Sequence, residues 1–120
     1  MTFRFRTRTP SAVLLLLLLF IALVGLVGSG ASIEAAQRKT HTIMIHGMQF
    51  IPATLVVNVG DTVIWKNEDV VPHTATADKK NFDSGGINPG MSWTYVARKR
   101  GSYSYICTYH PTMKAALAVH

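Results

Sequence analysis

The chain has 120 residues, twelve Lys and Arg against six Asp and Glu for a net charge of +6, and 48% hydrophobic side chains. That length leaves room for one small domain with a short appendage and excludes anything larger. The cations are scattered, apart from Arg98 to Arg100 beside Gly101, and this reads as a solvated turn and not as a nucleic-acid-binding patch.

Residues 1 to 11 carry Arg4, Arg6 and Arg8 and no acid; an apolar run from Ala12 to Gly28 follows, and then small residues at Ser29, Gly30 and Ala31. A basic segment, an apolar segment and a small-residue stretch are the layout of a secretory signal peptide. The apolar run is shorter than the roughly 20 residues that span a bilayer comfortably, so cleavage between Ala31 and Ala36 is favoured over an uncleaved membrane anchor. Either way the arginines stay cytoplasmic and the rest is translocated, which predicts a periplasmic or otherwise extracytoplasmic location. Residues 1–36 are therefore the expected leader and residues 37–120 the expected domain, with membrane contact only through the leader if it is retained. Without Arg4, Arg6, Arg8 and Glu34 the domain keeps a net charge of about +4.

From Thr40 onward the hydrophobic period is two, the signature of strands. Ile43 and Ile45 alternate with polar neighbours on a first strand, Gly47 to Pro52 reads as a turn region, and Thr54 to Val59 as a second strand. Gly60-Asp61 punctuates before Thr62 to Lys66, with Val63 and Trp65 on one face. A short strand is expected after Pro72 through Ala77, loop from Asp78 to Gly90, and strands over Met91 to Ala97, Ser102 to Cys107 and Lys114 to Val119. Short strands at intervals of about 8 to 12 residues predict an antiparallel sandwich or barrel.

Cys107 is the only cysteine. In an oxidising compartment it cannot form an internal disulfide, which leaves a buried thiol, an intermolecular link or a metal ligand. A domain of this size with no disulfide is marginal, and a bound metal is one way such domains gain stability.

The segment Cys107-Thr108-Tyr109-His110-Pro111-Thr112-Met113 sets a thiolate, an imidazole and a thioether three residues apart. Pro111 keeps His110 out of the helical region and favours a tight bend that can fold all three around one ion. His73, just after Pro72, is the best candidate for a fourth ligand. Taken singly, a cysteine or methionine is ordinary core and a histidine an ordinary polar group. Together, two imidazoles, a thiolate and a weak axial thioether are the donors of a blue-copper electron-transfer site. Soft sulfur suits Cu(I) and imidazole suits both oxidation states, so the site rearranges little as an electron moves.

The residues that carry these features also carry a family likeness. The stretches are Met48-Gln49-Phe50-Ile51-Pro52, Gly60-Asp61-Thr62-Val63-Ile64-Trp65-Lys66-Asn67, Val71-Pro72-His73-Thr74, Phe82-Asp83-Ser84-Gly85 and Gly101 to Cys107. Over Thr40 to Val119 the chain resembles the small cupredoxins, most closely the amicyanin and plastocyanin group, whose ligand loop has the same short spacing in amicyanin. The resemblance implies an all-β, Greek-key β-sandwich of about seven to eight strands. It implies one copper ion cycling between Cu(II) and Cu(I), with His73, Cys107, His110 and Met113 as ligands and Asn67 as the outer asparagine that steadies the cysteine sulfur between the two ligand loops. It further implies a monomer to which a redox protein donor and acceptor dock near His110. Tyr109 departs from the pattern, because amicyanin-like loops usually have a proline there.

His41, His46 and His120 match no ligand position, and Trp65, Trp93 and Phe50 read as core. The alternative function is a copper-binding or delivery protein that does not cycle electrons. An enzyme is not expected: catalysis needs an open coordination position or a second metal cluster, and no His-x-His pair is present to build one.

Overall fold

A computed structural model describes residues 37–120; the leader expected over residues 1–36 lies outside them. The described residues form β1 (Thr40–His46), β2 (Gln49–Ile51), β3 (Thr54–Val57), β4 (Thr62–Asn67), β5 (Thr76–Ala77), β6 (Ser92–Val96), β7 (Gly101–Ile106) and β8 (Lys114–Val119), with no helix among them. One four-stranded sheet has the order β2-β1-β4-β6 and the other β3-β8-β7-β5.

The alternation read from the sequence explains why the two sheets close on each other. Successive side chains of a strand point to opposite faces, so Ile43 and Ile45 of β1, Val63 and Trp65 of β4, Tyr103 and Tyr105 of β7, and Leu117 and Val119 of β8 all turn inward and are buried. Burying one such side chain stabilises the fold by about 1.5–3 kcal/mol. Trp65 lies at the centre, with ring centroids 5.5 Å from Phe82, 5.3 Å from Trp93 and 5.6 Å from Tyr105.

The structure departs from local expectation in three places. β1 pairs with β4, and β3 with β8, in parallel, while the other pairings are antiparallel. The stretch expected as a plain turn contains β2, which pairs back onto β1 through Met44 to His46. Gly47 and Met48 both have positive φ, 61° and 62°. Two left-handed residues in succession make the turn that closes a tight hairpin, and of the stretch only Gly47, Met48 and Pro52 lie outside a strand. The segment after Pro72 is regular only at β5, with His73 held separately by a bridge to Ile87.

β4 ends at Asn67, β7 ends at Ile106 and β8 begins at Lys114, all at one end of the sandwich. The β4–β5 connection and the β7–β8 loop emerge there, and they carry the candidate ligands.

Candidate metal centre

His73 is fixed by backbone pairing to the loop that precedes β6. Its N–H donates to the Ile87 carbonyl at 3.1 Å, the Ile87 N–H donates back at 2.7 Å, and the side chain is 0% exposed. Cys107 directly follows β7 and is buried. The ligand loop then bends back on itself: His110 N–H donates to the Cys107 carbonyl, Met113 N–H to the His110 carbonyl, and Cys107 N–H to the Met113 carbonyl, at 3.2, 2.9 and 3.1 Å. These bonds link the three residues that the spacing singled out. Met113 is buried directly before β8, and His110 is half-buried.

Three donor atoms converge. His73 Nδ1 lies 3.2 Å from His110 Nδ1, and Cys107 Sγ lies 3.7 Å from the first and 3.5 Å from the second. A point equidistant from the corners of that triangle is about 2.0 Å from each, and metal bonds to imidazole nitrogen and thiolate sulfur run ~2.0–2.3 Å. Two imidazole nitrogens this close, with a thiol beside them, can share at most one proton between any pair. A cation at the common centre satisfies all three lone pairs at once. The cluster thus fits one metal ion, and its mixture of thiolate and imidazole suits copper.

The surroundings of the sulfur correct one expectation. Asn67 does not hydrogen-bond to Cys107: its Nδ2 donates to the carbonyls of Val71 at 2.8 Å and Ile87 at 2.9 Å, and its Oδ1 accepts from the Asp69 N–H at 2.9 Å. All of its bonds go to the chain on either side of His73, because it sits at the end of β4, beside that loop. The sulfur is instead met by the backbone N–H of Thr74 at 3.3 Å. Thr74 Oγ1 also accepts from the Thr108 N–H at 2.8 Å and lies 3.0 Å from Thr108 Oγ1. Thr74 therefore ties the two ligand loops together and helps the sulfur carry negative charge. Its place next to His73 in the sequence was the available signal.

Asp69 is the second residue that sequence reasoning missed. Its Oδ2 lies 2.9 Å from His73 Nε2, and it accepts from the backbone N–H groups of Gly47 at 2.7 Å and Met48 at 2.9 Å. Burial alone would push its carboxyl up, but the Met48 and Gly47 N–H groups and the His73 ring outweigh that and hold it below the usual carboxylate value. The contact spans four residues of loop, where no helical or strand period points to it.

His41, His46 and His120 stand outside the centre. His41 Nε2 is 3.0 Å from Asp61 Oδ2, and the other two are exposed. Tyr109 lies across Gly86, where an added Cβ would come to 3.0 Å from the tyrosine oxygen, so a larger residue there would push the exposed ring aside by a few tenths of an ångström.

The family model for a cupredoxin-like domain matches residues 15–119. The chain is 28% identical over 80 residues to amicyanin from Paracoccus versutus, covering 62% of this chain and 61% of that protein. It is 35% identical over 72 residues to chloroplastic plastocyanin from Tetradesmus obliquus, covering 51% and 50%. The chain thus spans about three fifths of the first relative's length and half of the second's. Among solved structures, a Cu(I) amicyanin variant aligns with TM-score 0.63 at 26% identity, over 68% of this chain and 82% of that one. The Cu-containing nitrite reductase from Thermus scotoductus SA-01 aligns with TM-score 0.64 at 30% identity, over 68% of this chain but only 22% of the enzyme.

Proposed function

This chain belongs to the cupredoxin-like family, and from that premise we infer that it is a type 1 (blue) copper protein shuttling single electrons between redox partners. The observation that carries the reading is the convergence of His73 Nδ1, Cys107 Sγ and His110 Nδ1 on one point about 2.0 Å from each, a bonding distance for copper. In this reading Met113, buried at the end of the same loop, would supply a thioether to the copper. When bound, copper supplies a one-electron Cu(II)/Cu(I) couple.

The chain's own residues account for the rest. The backbone bonds of the Cys107–Met113 loop and the Ile87 bridge at His73 hold the donors in place. Burial of His73 and Cys107 keeps water from the two inner donors. His110 is the ligand nearest solvent, and its loop exposes Tyr109 (54%), while the His73 loop exposes Val70 (92%). Exposed apolar side chains on the two ligand-bearing loops suit the small, transient contact a shuttle needs, which supports docking of donor and acceptor near His110. The protein works as a monomer, residues 37–120 form the copper domain, and residues 1–36 direct it to an extracytoplasmic compartment.

A delivery protein would hold copper on exposed, labile ligands, whereas two of these donors are fully enclosed. An enzyme would need a vacant coordination position, and the enclosure of His73 and Cys107 argues against one. The decisive experiment adds Cu(II) to the purified protein. An intense blue thiolate-to-copper absorption is expected, lost in Cys107→Ser; a colourless copper complex would sink the proposal. Slow handover of copper to a chelator is expected, and rapid handover would favour the delivery reading.

A further inference from the structure

Only one of the two imidazoles in the cluster has a carboxylate behind it among the described residues. His73 is 0% exposed, so no water competes for its outer nitrogen, and that nitrogen lies 2.9 Å from Asp69 Oδ2. An ionised carboxylate only accepts. Nε2 must therefore carry the ring proton and donate it to Asp69, which leaves the Nδ1 lone pair aimed at Cys107 Sγ and His110 Nδ1. The opposite tautomer would put a proton into the metal position and face a lone pair against an anion.

The carboxylate is itself held. Gly47 and Met48, the two residues of the β1–β2 turn, each donate a backbone N–H to it, and its own N–H is fixed by Asn67 Oδ1. Met48 sits at φ 62°, a conformation uncommon for a residue with a side chain, and its N–H is thereby turned onto the same oxygen that His73 uses. The nearby Lys66 pairs with Glu68 at 2.9 Å, and the one ion-pair contact found for Asp69 among the described residues is with His73. The Asp69 carboxylate thus makes direct contact with the cluster through the His73 imidazole.

Resting on the copper reading above, we propose that Asp69 is a positioning residue that fixes the tautomer of His73, strengthens it as a donor, and so favours Cu(II) over Cu(I). An imidazole whose outer N–H is shared with an anion is the more basic ligand, and added negative charge near a metal stabilises its higher oxidation state. Asp69 thereby lowers the reduction potential.

The test has two arms. In the copper-free wild-type protein at pH 8, the ring nitrogens of His73 are read by 15N NMR: a single Nε2–H tautomer is expected, and an Nδ1–H or mixed ring overturns the proposal without any variant. In the second arm Asp69→Asn, which keeps an oxygen acceptor and removes the charge, is compared with Asp69→Glu, which restores it. Loss of an outer hydrogen-bond partner changes metal affinity about 10- to 100-fold. Asp69→Asn is expected to shift the Cu(I)-to-Cu(II) affinity ratio about tenfold toward Cu(I), raising the potential by about 59 mV for one electron, with the blue colour kept and a partial return in Asp69→Glu. A blue Asp69→Asn protein of unchanged potential overturns the proposal and leaves the copper reading standing. A wild-type protein that never turns blue sinks the copper reading, while the tautomer still decides the role of Asp69.

Discussion

Asn67 is fully buried and spends its whole side-chain amide on backbone partners, two carbonyls and one N–H. Each buried group left without a partner costs about 1–3 kcal/mol, so Asn67→Ala should lower the urea midpoint of the copper-free protein by the equivalent of several kcal/mol, or prevent folding. Because none of its bonds reaches the sulfur, Asn67→Ser, a milder truncation, should leave the blue absorption maximum in place even where stability drops. For Met113→Leu the outcome is the reverse in kind: little change in fold, retained colour and a higher reduction potential, read by titration against a redox dye. A bleached Met113→Leu protein would show that the colour itself depends on the thioether. The clustering of Cys107 with His110 was legible because covalent spacing brings the two together. His73 was legible from its chemistry and its place after Pro72. Thr74 and Asp69 were not, because their roles depend on which backbone N–H meets which atom once two separate loops have packed.

At the scale of elements, the same contrast separates strands from their pairing. Rows such as Ile43 and Ile45, or Val63 and Trp65, declare a strand and its buried face through period two alone. Nothing local declares that β1 lies parallel to β4 and β3 parallel to β8, since that follows from how the whole chain winds between two sheets. The β1–β2 hairpin was hidden for another reason: methionine at position 48 gives no sign of a left-handed backbone. A β-branched side chain tolerates that conformation poorly, whereas asparagine visits it readily. Met48→Val should therefore lose about 1–2 kcal/mol of unfolding free energy and Met48→Asn little, as measured by urea titration of the copper-free domain. Equal losses in the two variants would mean that the thioether's packing, not the turn, is what position 48 contributes.

At the scale of the molecule, two polar clusters stand at opposite ends of β4. At one end a metal would join the β4–β5 connection to a loop more than thirty residues further on, and binding to the folded state alone raises stability. At the other, Asp61 is buried and accepts from the N–H groups of Lys39 at 2.8 Å and Asn58 at 3.0 Å, with His41 Nε2 at 3.0 Å. Those two backbone donors, and then His41, lower its pKa from 3.8 to about 2. A carboxylate whose folded pKa lies below its unfolded value contributes stability that is fully present above the unfolded value and is lost as pH falls through the folded one. The copper-free protein should thus lose stability between about pH 4 and pH 2, and Asp61→Asn should be less stable at neutral pH yet flatter across that window. Unfolding midpoints of both proteins from pH 2 to 6 measure this, and parallel curves would remove Asp61 from the account. Because the two ends share no partner, the loss caused by Asp61→Asn at pH 7 should be the same with copper bound as without it. A loss that changed on copper binding would mean that β4 transmits strain along its length, and that the two ends of the sandwich are not independent.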